Sequence, residues 1–223
     1  MFNNINTRSV TFNLIVINVI VYLITFTVGD KMYELFALFY PASPFFKPMQ
    51  VVTHLFMHGG FMHLFLNMFA LFMFGMILER VWCPQRFLFF YFTTGIGAAL
   101  SYIAWQAFIV HNFTGSINPG PALLAQYPDV IALYQTPTVG ASGAIFGVLI
   151  AFGMLFPNTE LYIMFIPIPV KAKYFVVFYV IAELYQGIEM SQGDNVAHFA
   201  HLGGALFGFL LVKYWGRKRD TFY

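Results

Sequence analysis

Charge is scarce in this chain: of 223 residues only 9% are charged, where a soluble domain carries roughly a quarter. A globule of this size needs far more polar surface to stay wetted, which excludes most soluble enzymes. Cysteine is scarcer still. Cys83 stands alone, so an internal disulfide framework is excluded, and so is a zinc site built from several thiolates. No aspartate falls inside the apolar runs described below, which removes a two-aspartate intramembrane mechanism. No HExxH pattern is present to serve a metalloprotease. What is abundant is apolar: 60% hydrophobic and 20% aromatic residues, with 29 Phe and 13 Tyr, and a mean hydropathy of +0.73. These proportions describe an integral membrane protein. The formal net charge of +2 names no partner, because the basic residues are sorted by side rather than gathered into a patch.

A hydrocarbon core about 30 Å thick needs about 20 mostly apolar residues per helix, and six runs approach that length. They are Val10 to Gly29, Pro48 to Leu78 with its helical part starting near Phe61, Phe87 to Val110, Gly140 to Pro157, Tyr174 to about Gly187, and Val196 to Val212. The first is too long and uninterrupted for the apolar region of a cleaved signal peptide. Leu161 to Val170 is apolar but short and contains two prolines, so it is expected at the interface. The polar, proline-rich segment 111–139 reads as an ordered loop with one short surface helix.

The Lys/Arg distribution tests these spans independently of hydropathy. One side holds Arg8, Arg80, Arg86, Lys171, Lys173, Lys213, Arg217, Lys218 and Arg219, and the other only Lys31 and Lys47. Both termini are therefore expected in the cytoplasm, with 30–60, 111–139 and 188–195 outside. The expected organisation is a tail 1–9, one membrane domain 10–212, and a basic tail 213–223.

Polar residues at membrane depth are costly and default to a functional reading. Here they form three groups: His54, His58, His63 and Asn67 leading into the second span, Gly140-Ala-Ser142-Gly143 opening the fourth, and His198 and His201 opening the sixth. All three groups lie at the same ends of their helices. Ser142, expected two residues into its helix, would sit where unpaired N–H groups and the helix dipole favour a developing oxyanion. An isolated serine there is more often a cap or a packing residue. The glycines change that weighting, because Gly143/Gly147 and Gly204/Gly208 are two GxxxG pairs, and small residues at this spacing let helices approach closely. If the two faces meet, Ser142 and His201 come within reach as nucleophile and general base.

Of the two histidines on the sixth run, His201 lies on the glycine stripe, three and seven residues before Gly204 and Gly208. His198 is a turn nearer the surface and reads equally well as a solvated interfacial histidine. His63 and Asn67 share a helix face. With the Ser142 N–H they could donate to a tetrahedral oxyanion, or they could simply join helices by hydrogen bonds. A metal reading of the histidine-rich stretch is discounted, since the nearest acid after His63 is Glu79, at the far end of the span. Glu183 is the one acid within a run, and no partner for it is visible. Any hydrolase here would therefore work with a Ser–His pair.

At this point the residues resemble a known family. GASG opening one helix, AHLGGALFG on a later one and HLFLN on an earlier one are similar to the rhomboid intramembrane serine proteases, and the likeness extends from about Gln50 to Gly208. The resemblance implies an all-α, six-helix rhomboid-like bundle. It implies Ser142 as nucleophile, His201 as general base, and an oxyanion site from His63, Asn67 and the Ser142 N–H, supported by Gly140, Gly143, Gly147, Gly204 and Gly208. Phe146 falls where the family sets an aromatic ring against the histidine. The segment from Asp30 to Met49 departs from the family's best-known members in lacking a Trp-Arg pair.

The expected activity is cleavage of transmembrane substrates near the outer membrane face, in a bacterial inner membrane. No cofactor, metal or nucleic acid is called for, and the partners are membrane-protein substrates and the bilayer itself. Substrates would approach past the fifth run and the segment 188–195. The rival reading keeps the fold without the catalysis, as a membrane-helix chaperone or sorting protein. A transporter would need polar residues through the full membrane depth.

Overall fold

The structure, a computed structural model, describes residues 9–162, 168–189 and 198–217. Helix α1 (Val10–Val28) starts at Ser9, whose hydroxyl accepts from the Phe12 N–H, and stops at Gly29 with φ +77°. A short α2 (Asp30–Phe36) follows, then α3 (Gln50–Thr53) with one tighter turn over His54–Phe56. The second long helix is continuous but locally widened. It comprises α4 (Phe61–Ala70), a π-helical turn at Leu71–Gly75, and α5 (Met76–Trp82). Cys83 turns the chain with φ +67°, and Pro84, whose missing N–H costs nothing at a first helical position, opens α6 (Pro84–Thr114). Two short helices, α7 (Pro121–Leu124) and α8 (Pro128–Gln135), precede α9 (Ser142–Leu155). Strands β1 (Glu160–Leu161) and β2 (Val170–Lys171) pair antiparallel, before α10 (Ala172–Glu189) and α11 (His198–Arg217).

This is the expected all-α membrane bundle. By length and composition α1, the Phe61–Trp82 helix and α6 can each cross a membrane, while α9 is a shorter apolar helix. Its centre is built on small residues. A Cβ on Gly204 would overlap the Gly143 carbonyl oxygen, and one on Gly208 would lie 2.7 Å from the Gly147 Cα. Gly143 in turn faces Ala98 of α6, and Gly147 faces Thr94. α9 and α11 thus meet backbone to backbone along the two GxxxG stripes, with α6 closing the third side. Around this contact lie Leu55, Leu71, Leu78, Phe87, Phe90, Tyr91 and Val148, all fully buried. Large apolar side chains face outward instead, as with Phe178 and Ile188 on α10, because lipid rather than water covers such a surface.

At the opposite end from Ser142, Glu79 is buried and accepts hydrogen bonds from Ser9 Oγ (2.9 Å), Val10 N (2.8 Å) and Thr11 N (2.9 Å). A carboxylate therefore caps the positive end of α1 from a neighbouring helix. Near it the Arg86 guanidinium lies 4.1 Å from the Trp215 ring centroid, which ties the end of α11 to the start of α6.

Several expectations need adjusting. The segment 111–139 holds two short helices rather than one, because α6 runs on to Thr114 and prolines restart the chain at 121 and 128. Helix α11 continues to Arg217, past the expected end at 212. The flanks of the apolar Leu161 to Val170 run pair as strands, while residues 163–167 lie outside the described part. So do 190–197, most of the segment 188–195, and Arg8, Lys218 and Arg219 of the two tails.

Though residues 30–49 lack the Trp-Arg pair, one buried side chain gathers much of their backbone. Gln50 is fully buried. Its amide donates to the carbonyls of Glu34 and Phe45 and its oxygen accepts from Lys47 N, at 3.0–3.1 Å. This segment is then joined to α8 by Ser43 Oγ donating to the Tyr134 carbonyl (2.7 Å), and to the residues after α8 by a bridge between Leu38 and Thr138. The two long connections are thus tied to each other close to the turn that leads into Ser142.

Candidate active site

Three helices deliver the site from their N-terminal ends. Ser142 is the first residue of α9, not two residues inside it, because Gly140 takes φ +124° and only then does the chain turn helical. A Cβ at Gly140 would also lie 2.8 Å from His63 Nε2, so both the backbone angle and the space require glycine there. The Gly140 N–H is held by the His54 carbonyl at 3.0 Å, which pins the serine's turn to the segment that precedes α4. The first hydrogen bond of α9 runs from Ile145 N to the Ala141 carbonyl. The Ser142 N–H lies ahead of it, among the donors a helix leaves unpaired.

His201 Nε2 is 2.8 Å from Ser142 Oγ, a full hydrogen bond between side chains 59 residues apart. The His201 ring stacks on Phe146, centroids 4.4 Å apart and planes within 8°, and Phe146 stacks on Tyr179 of α10 at 5.1 Å. The imidazole therefore has one face fixed by an aromatic ladder. The other expected pair is arranged less simply. His63 lies beside the Gly140 turn, while Asn67 directs one amide hydrogen to the His63 backbone carbonyl at 2.7 Å. Only its second amide hydrogen remains for a ligand. His58 is fully buried edge-on to His63, centroids 5.1 Å apart, and its two ring nitrogens have no hydrogen-bond partner among the described residues. Burial pushes the imidazole of His58, which precedes the spanning helix, down to about 4.

The structure corrects two expectations about acids and bases. Glu183, for which the sequence offered no partner, places Oε2 2.9 Å from His201 Nδ1 and 2.7 Å from His198 Nδ1. An acidic neighbour of the histidine therefore exists. His198 is not a solvated interfacial residue either: it is 6% exposed and turned inward onto the same carboxylate oxygen. The signal available in the sequence was a carboxylate placed where lipid would penalise it, which requires a partner. The ligand-capable atoms of Glu183, His198 and His201 lie within 4.8 Å of one another, a donor set that suits a transition-metal ion. The hydrogen bonds among them account for the cluster without one.

Chemically, a hydroxyl aligned on an imidazole nitrogen, beside free N–H donors at a helix start, suits nucleophilic attack on an acyl carbon. Comparison with known proteins points the same way. A family model described as a Rhomboid domain matches residues 46–218. The chain is 29% identical over 171 residues to the RHOMBOID-like protein 12, mitochondrial, of Arabidopsis thaliana, covering 76% of this chain and 46% of that protein. It is 30% identical over 166 residues to Rhomboid protein 1, mitochondrial, of Saccharomyces cerevisiae, covering 74% and 41%. It is 29% identical over 165 residues to Rhomboid protease AarA of Providencia stuartii, covering 70% and 51%. The chain thus spans about half, or less, of the length of these relatives.

Proposed function

The chain belongs to the rhomboid family of multi-pass membrane proteins, and from that premise we propose that it is an intramembrane serine endopeptidase. The observation that carries this reading is the 2.8 Å contact between Ser142 Oγ and His201 Nε2. Ser142 attacks a substrate peptide carbonyl as its proton passes to His201 Nε2, and the carbonyl electrons move onto oxygen. That oxyanion is met by the Ser142 N–H, with His63 and Asn67 beside it, each donor being worth about 3 kcal/mol in comparable sites. Collapse breaks the C–N bond and His201 returns the proton to the leaving amine. Water then attacks the acyl group with His201 again as base, releasing the new carboxyl group and restoring Ser142.

The substrates are membrane proteins whose transmembrane helix can unwind locally, since a helical peptide hides its carbonyls. Approach past α10 is favoured by its outward apolar face, which includes Val177, Phe178 and Ile181. The nine-to-two Lys/Arg division supports both termini in the cytoplasm and the site opening on the other side. The proposed location is a bacterial inner membrane.

Purified protein in detergent is expected to cleave a single-span model substrate, and Ser142→Ala to abolish cleavage. A wild-type protein that binds the substrate but leaves it intact would instead identify a catalytically silent helix-binding protein.

A further inference from the structure

We propose that Glu183 is a positioning residue for His201, and that His198 holds Glu183 in turn. The chain of contacts would then be His198–Glu183–His201–Ser142. This rests on the proteolytic reading above for its consequence, but its geometry stands independently.

Glu183 lies on α10 and is 7% exposed, so its charge is sheltered from solvent. An isolated carboxylate in that setting is costly and needs donors. Among the described residues its two donors are imidazole N–H groups on α11, with Oε2 2.7 Å from His198 Nδ1 and 2.9 Å from His201 Nδ1. An ionised carboxylate only accepts hydrogen bonds. His201 must therefore carry its proton on Nδ1, which leaves a lone pair on Nε2, the nitrogen 2.8 Å from Ser142 Oγ. The tautomer that a general base needs is thus selected from behind the ring.

When Ser142 gives up its proton, His201 holds one on each nitrogen and becomes cationic. Its Nδ1–H still points at Glu183, and the ion pair forms where little water screens it. Glu183 gains no proton in this step. His198 supplies the second donor to Oε2, so that the carboxylate does not rotate away from His201. Both histidines belong to one face of α11, three residues apart, which lets a single carboxylate reach them. The Phe146 ring covers the face of His201 and Glu183 its edge, so the imidazole is held on two sides.

The test combines turnover of a model transmembrane substrate with nitrogen-15 spectra of histidine-labelled protein in detergent. Glu183→Gln keeps the side chain's shape but removes its charge, and kcat is expected to fall by about tenfold or more with KM within about twofold. Glu183→Asp keeps the charge at a shorter reach and is expected to recover part of that loss. In wild-type and Ser142→Ala protein alike, His201 is expected to show its proton on Nδ1. A Glu183→Gln kcat within twofold of wild type overturns the proposal, and so does a wild-type His201 protonated on Nε2. If Glu183→Gln does not fold, Glu183→Asp and the spectra carry the test. If the wild type cleaves nothing yet His201 carries its proton on Nδ1, the positioning stands and the proteolytic reading falls.

Discussion

Gly204 meets Gly143 so closely that a Cβ on Gly204 would overlap the Gly143 carbonyl oxygen. The contact lies one turn along α11 from His201 and next to Ser142, so it bears on the distance between Ser142 Oγ and His201 Nε2. Gly204→Ala is therefore expected to push α11 away from α9 and to cost about 1–3 kcal/mol through overpacking. Cleavage and fluorophosphonate labelling of Ser142 should both fall by about tenfold or more, since small misplacements are heavily penalised. Labelling at the wild-type rate would show that this contact does not set the site's geometry.

Glu79 caps α1 with three hydrogen bonds at the far end of the bundle. Replacing it by alanine leaves the Val10 and Thr11 N–H groups without their acceptor, at a cost of about 1–3 kcal/mol. The thermal midpoint in detergent should drop accordingly, while labelling of Ser142 at low temperature stays near wild type. An unchanged midpoint would mean that water replaces the carboxylate.

His54 and His58 are buried ahead of the second spanning helix, and burial holds both at about 4 instead of the ordinary 6.5. The unfolded chain takes up these two protons as pH falls through about 6.5, while the folded protein does so only near 4. Stability from these sites is therefore complete above about 6.5 and is lost as pH falls toward about 4. Melting curves recorded between these limits should show a falling midpoint, and His58→Phe should flatten the slope. His58→Phe protein with an undiminished slope would rule His58 out as a source of it.

Cys83 is the only cysteine and is exposed, in the turn between α5 and α6. The orientation proposed from the Lys/Arg division puts that turn on the cytoplasmic side. A membrane-impermeant maleimide should label it in inverted vesicles and not in intact spheroplasts. The reverse pattern would invert the orientation, and with it the side on which the site opens.

How far the sequence reached depends on whether the relevant contact is local. Among the described residues each of the six apolar runs contains a helix, because length and hydropathy are properties of a continuous segment. The pairing of Ser142 with His201 and the glycine stripes were legible for a related reason: spacings of three, four and seven put residues on one helix face whatever the rest of the fold does. The place of Phe146 beside His201 came through family resemblance, and their ring centroids lie 4.4 Å apart.

Glu183 and Gln50 were not legible, since each works through partners on other elements. Glu183 lies 15 and 18 residues from its two histidines, on another helix with no motif around it. Gln50 orders a segment of backbone carbonyls that carry no sequence signature. Composition, periodicity and charge asymmetry by themselves determined a membrane bundle with a Ser, a His and an Asn at one end. Only the packing of α10 against α11 decided that the histidine has an acidic neighbour. A buried carboxylate selects its partners by distance and desolvation, and neither is written in the linear order of residues.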